Sequence, residues 1–177
     1  SLFTREFFRV AASRLAADGL FVQWLQIYEL APARINSILQ TFHAEFPHTL
    51  IFTPERDSTD LLLVGSKAAV RVDPAALARH YELLRPTLTE INLASPAAVA
   101  ALLVIDEARL DAADPVELNT DDNALIEFGA PRDLLTFAEI DPDLPLLQPD
   151  RAERMALIDR VFAPLAQSNQ HAVAMAR

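Results

Sequence analysis

The chain has 177 residues, about half of them hydrophobic, with twelve prolines, only three glycines and no cysteine. That length suits one domain, or one domain with an appendage, and the apolar content is enough for a real core. The lack of cysteine excludes disulfides and thiolate metal sites and makes the cytoplasm the expected compartment. The net charge is -10. Between residues 106 and 143 twelve acids face only Arg109 and Arg132, so the rest of the chain is balanced. This charge opposes nucleic acid and anionic membrane surfaces as partners. It would suit a cationic substrate or a basic partner, and it equally describes a solvated acidic face.

No stretch approaches the roughly 20 apolar residues of a membrane span. The apolar run over 93–105 is too short and is closed by Asp106-Glu107. Arg5, Glu6 and Arg9 interrupt the opening apolar stretch, so no signal peptide is expected there. The four histidines (His43, His48, His80 and His171) show no metal-ligand spacing. An opening Ser1 in place of Met leads to the expectation of a processed product or a fragment of a longer protein.

In chain order, Thr4 is an N-cap for a helix over 5–17, with Glu6 in its first turn and Asp18-Gly19 as its stop. Residues 20–27, an apolar run interrupted by glutamines, read as a buried parallel strand whose far end carries ligand-touching groups. Ala31-Pro32 opens a second helix over 32–45, with Ile35, Ile38, Leu39, Phe42 and Phe46 as its apolar stripe. Two strands over 49–53 and 61–65, joined by a polar loop, read as an antiparallel hairpin.

The remainder reads as helix and loop. Asp73-Pro74 opens a helix that Arg85-Pro86 should end, and Ser95-Pro96 opens another that runs on toward Leu110. Residues 114–149 hold five prolines and read as irregular, with an apolar island over 125–128. Pro149-Asp150 starts a last helix carrying Met155, Ile158, Phe162 and Leu165, and a frayed tail is expected over 167–177. The expected division is therefore an α/β unit over 1–66 and a helical, acidic region over 67–166.

Little here carries chemistry by itself. Gly19, Gly65 and Gly129 are far apart, so no glycine-clustered phosphate cradle exists. No Ser-His-Asp, Cys-His or metal constellation has workable spacing. Ligands in open α/β sheets bind beyond the carboxyl ends of the strands, which points to Gln23, Trp24, Gln26 and Tyr28 as candidate binding groups. The competing reading makes Trp24 plain core and Gln23 a solvated strand end. Asp121-Asp122 would grip a cationic substrate, or else belongs to a turn-and-cap sequence, Asn119-Thr120-Asp121-Asp122-Asn123.

Several stretches together resemble the spermidine synthase family, and in particular its bacterial spermidine-synthase-like branch, often fused to membrane segments. They are Leu2-Phe3-Thr4-Arg5-Glu6-Phe7-Phe8, Arg14-Leu15, Asp18-Gly19-Leu20, Gln23-Trp24 and Tyr28. Thr41-Phe42, Phe46-Pro47, Asp60-Leu61-Leu62-Leu63-Val64-Gly65-Ser66 and the Asn119 run, leading into Ile126-Glu127-Phe128 and Ala130-Pro131, follow in order over residues 2–131. The resemblance implies a Rossmann-like S-adenosylmethionine-enzyme fold, of which this chain would hold the C-terminal half. That half would be about three strands in a mixed sheet with an antiparallel hairpin, followed by the helical appendage.

It also implies decarboxylated S-adenosylmethionine as the co-substrate of the complete protein and a cationic amine as its acceptor. In such a protein Gln23 and Trp24 would line the amine pocket, an amide holding the ammonium group beside an aromatic face. The glycine-rich nucleotide loop, the acidic ribose partner and the catalytic aspartate loop have no counterpart in the 177 residues. The chain alone is therefore expected to be inactive, to bind no cofactor, and to work as one part of an aminopropyltransferase-like protein. The alternative is a non-catalytic module that docks through an exposed sheet edge on a second copy, on the missing half or on another chain.

Overall fold

A computed structural model describes residues 1–54, 58–70, 72–135 and 145–166. The elements in order are helix α1 (Arg5–Arg14), strand β1 (Leu20–Gln26), α2 (Pro32–Glu45), β2 (His48–Phe52), β3 (Asp60–Ser66) and α3 (Pro74–Glu90). There follow α4 (Pro96–Ala100), β4 (Leu103–Asp106), α5 (Glu107–Asp111), α6 (Leu125–Leu135), a 3-10 turn (Pro145–Leu147) and α7 (Arg151–Ala166). The fold is α/β: one open four-stranded sheet in the order β1-β3-β2-β4, with every neighbouring pair antiparallel.

Two expectations about the sheet are corrected here. It is neither mixed nor limited to three strands, and β1 is not a buried parallel strand. β1 pairs with β3 alone among the described residues, which makes it an edge strand. Its alternation decides the matter: Leu20, Val22, Trp24 and Gln26 are exposed, while Leu25 is buried on the other face. Seven residues rich in Leu, Phe and Val read as doubly buried by composition, yet only one face of β1 is covered.

The fourth strand was hidden inside an expected helix. Leu102 and Ala101 end the single turn of α4, and Leu103–Asp106 then pairs with β2, with a register shift beside Phe52. Four residues, three of them apolar, cannot show a period, so length and neighbours leave helix and strand indistinguishable. The α/β sheet thus draws its outermost strand from the region after residue 66.

The expected stop at Pro86 fails, and a second proline also lies inside a helix, in a stretch expected to be irregular. α3 continues through Pro86 to Glu90, and α6 runs through Pro131, so the island at 125–128 is the start of a helix. A proline removes one i→i-4 bond and kinks a helix, but an exposed outer face tolerates the loss. The expected loop over 54–59 lies partly outside the described residues, and the tail over 167–177 wholly so.

One face of the sheet carries the main core. α1 and α2 lay Phe8, Ile35, Ile38, Phe42 and Phe46 over Leu25, Leu61, Leu63, Ile51 and Ile105. Phe21 stacks on both Phe42 and Phe46 there, its ring 5.3 Å from that of Phe46 and nearly parallel to it. Gly65 makes this possible, since a Cβ there would stand 2.5 Å from Cγ of Phe46. On the other face Leu157, Ile158 and Phe162 of α7 meet Leu50 and Leu103, and Val64 of β3 packs at the margin of this cluster, while the outer side chains of β1 stay exposed.

Candidate functional site

The residues singled out in the sequence fall into three places. Trp24 and Gln26 stand on the outer face of β1, and Tyr28 follows them just beyond the strand, all three exposed. Gln23 points to the opposite face, half-buried, across from Leu63. Period-two alternation forces that split, so Gln23 and Trp24 cannot share one pocket wall. Asp121 and Asp122 are exposed in the loop before α6.

Trp24, Gln26 and Tyr28 form a connected group. The Tyr28 hydroxyl donates to Gln26 Oε1 at 3.3 Å, and the Trp24 indole N–H donates to Asp60 Oδ1 at 3.2 Å. Asp60 opens β3 and is the register partner of Gln26, which places its carboxylate beside the indole. Asp60 belongs to the Asp60–Ser66 motif and not to the binding groups expected from the sequence. The signal that would have found it is the hairpin register, which sequence alone does not supply. The group offers two aromatic rings, an amide and a carboxylate, an assortment able to receive a cation. It contains no nucleophile with a base at hydrogen-bond distance.

The Asn119 run settles as the turn-and-cap reading. Asn119 is fully buried, and its side chain donates to the carbonyl of Phe3 and accepts from the N–H of Ile126. Its backbone N–H donates to Thr41 Oγ1 and its carbonyl accepts from Arg5, so one residue ties the starts of α1 and α6 to α2. Thr120 and Asn123 bond each other twice across the loop. The nearby Thr4 hydroxyl, then the Ser1 ammonium at 3.2 Å, hold the Asp121 carboxyl below its ordinary value.

Thr41 lies ten residues along α2 from Ala31, about 15 Å at 1.5 Å per residue. Asp121-Asp122 therefore sits toward the far end of α2 from Tyr28, and the two candidate groups do not form one site. The acidic segment is also put to structural use. Asp106, buried at the end of β4, accepts from Arg160 Nε at 2.7 Å and caps α5 through the N–H of Arg109.

Among the described residues no group of three or more His, Cys, Asp or Glu side chains is placed to hold a metal ion, and no helix is long and apolar enough to cross a membrane. Comparisons with protein-family models, with curated proteins and with solved structures returned no match.

Proposed function

We propose that the chain is the C-terminal part of a spermidine-synthase-like, aminopropyltransferase-like protein, in which it supplies one wall of a composite amine site. The observation that carries this reading is the path of the chain through the sheet. β1 and β2 each run antiparallel to β3, which lies between them, so β1 and β2 point the same way and α2 crosses from one to the other. A strand, a crossover helix and a returning antiparallel pair are what the family resemblance implies for the second half of a Rossmann-like fold. In that frame the free edge of β1 is where the nucleotide-binding half would join.

The wall is the Trp24, Gln26, Tyr28 and Asp60 group at the carboxyl end of β1. An ammonium group there would meet a carboxylate and two ring faces, while the attack on the carbon beside the sulfonium would be run by residues of the other half. The complete protein, carrying a glycine-rich strand–loop–helix ahead of this segment, should bind decarboxylated S-adenosylmethionine in a calorimetric titration. The 177-residue chain should give no aminopropyl transfer. A complete protein that binds no nucleoside would overturn the reading.

The bare edge also favours a second reading, docking on a second copy of the chain. β1 is a seven-residue edge strand without a charge or a proline, an unguarded template for strand addition. Light scattering separates the two: a self-docking chain has twice the monomer mass at micromolar concentration.

A further inference from the structure

α2 begins in an unusual way. Its N-cap, Ala31, has no side chain to receive a helical N–H, and the following Pro32 holds it extended at φ -63°, ψ 145°. In a capping box the acid at the third helical position reaches back to the N–H of the cap residue. That position here is Arg34. Asp133 of α6 stands in for the missing acid: its Oδ2 accepts from the N–H of Ala31 at 3.0 Å and lies 3.3 Å from Arg34 Nε. Asp133 is buried, and α6 comes close enough because of Gly129, where a Cβ would stand 1.8 Å from Arg34 Nε.

The bond fixes more than a helix end. The turn that carries Tyr28 is held at Ile27, whose N–H donates to the Thr59 carbonyl at 2.8 Å, and at Ala31 by Asp133. Between these two anchors Glu29 has φ 59°, a left-handed conformation that costs a non-glycine residue energy. Such a conformation persists where the surroundings over-determine it.

From this we infer that Asp133 is a positioning residue. It locks the strained turn at Glu29 and thereby sets where Tyr28 stands beside Gln26 at the end of β1. The consequence for ligand binding rests on the proposed amine wall; the mechanical role does not. The region after α5 is then part of the site's construction.

The test uses the 177-residue chain and four variants: D133A, D133N, G129A and the double variant D133A/E29G. Amide hydrogen exchange reads the turn directly. In D133A the Ala31 amide should exchange at least tenfold faster, with the amides of β2 and β3 unchanged. D133N keeps an acceptor oxygen for Ala31 and should recover much of the protection. G129A displaces Arg34 and should loosen the same turn without touching the carboxylate. Glycine at position 29 removes the strain, so D133A/E29G should regain order there.

Quenching of the single tryptophan, Trp24, by 1,4-diaminobutane reads the wall, and its half-saturating concentration should rise several-fold in D133A. Unchanged exchange at Ala31 in D133A, or faster exchange spread evenly over the sheet, would overturn the positioning role. A loosened turn in a chain whose Trp24 never responds to the diamine would uphold the positioning role and overturn the amine wall.

Discussion

The two edges of the sheet are finished in opposite ways. All four residues of β4 are buried, and α7 reaches across to bind Asp106 through Arg160. At the other edge Leu20 and Val22 are each 55% exposed and Trp24 is 52% exposed on a strand of the same sheet. A closed edge needs nothing further from outside. An open one, with uncharged residues and an apolar face continuing onto Leu62 of β3, carries none of the features that guard an edge strand against strand addition. The difference teaches that the chain covers its own late edge and leaves the outer face of the early one uncovered.

The most direct way to break this comparison is to change one apolar side chain on each edge strand. Ile105 of β4 is fully buried in the main core, so Ile105→Ala should cost about 3 kcal/mol, as large-to-small core changes do. Val22→Thr on β1 should stay within about 0.5 kcal/mol. Urea midpoints at unchanged slope measure both. Equal losses would show that the outer face of β1 is covered after all. Next in size is Arg160→Ala, which leaves the buried Asp106 carboxylate with the N–H of Arg109 as a remaining donor. A loss of about 2 kcal/mol is expected. Hydrogen exchange should rise first in α7 and β4 and leave β1 as it was.

The contrast between the edges was only partly legible in the residues. The caps at Thr4 and Asp73, the stripe of α2 and the hairpin of β2 with β3 follow from local chemistry, and each stands where residue spacing puts it. What escaped was non-local. Nothing in the run over 20–26 says that one face will lack a partner, because composition reports hydrophobicity and not what lies opposite. β4 is four residues long, below the length at which a period can be seen. The same limit hid the candidate site's best groups: Asp60 reaches Trp24 through strand register, and Asp133 reaches Ala31 across 102 positions. By contrast, Asp121 and Asp122 were conspicuous as a pair, and the run around them serves mainly to cap helices.

A smaller effect probes the helical layer on the covered face of the sheet. Glu45 at the end of α2 accepts from Arg5 at 2.7 Å and from Arg9 at 3.2 Å, both on α1. Burial pushes its carboxyl up, but the two guanidinium groups outweigh that, so its pKa lies below the ordinary 4.5. A lowered pKa in the folded state means stability that is present above the unfolded value and lost as pH falls through the folded one. Glu45→Gln should therefore cost about 0.5 kcal/mol at pH 7, a modest figure because both arginines are exposed. The gap between variant and parent should close as pH falls below the ordinary glutamate value. A gap that stays constant down to pH 3 would assign the effect to packing.

The smallest change in stability should come from the substitution that matters most for the open edge. Val22→Lys places a charge on the outer face in the middle of β1, where water already reaches the side chain and no covering element has to be displaced. Its urea midpoint should match the parent within error. Its effect should fall on association, since a lysine on an edge strand is the device natural sheets use against strand addition. If a second copy covers the edge, the variant is monomeric where the parent is dimeric. If the nucleotide-binding half covers it, the 177-residue parent and variant are both monomeric, and the lysine instead destabilises the complete protein by burying a charge. A complete protein that tolerates the lysine at no cost would mean that the outer face of β1 stays in water, and the open edge would then need another explanation than a missing neighbour.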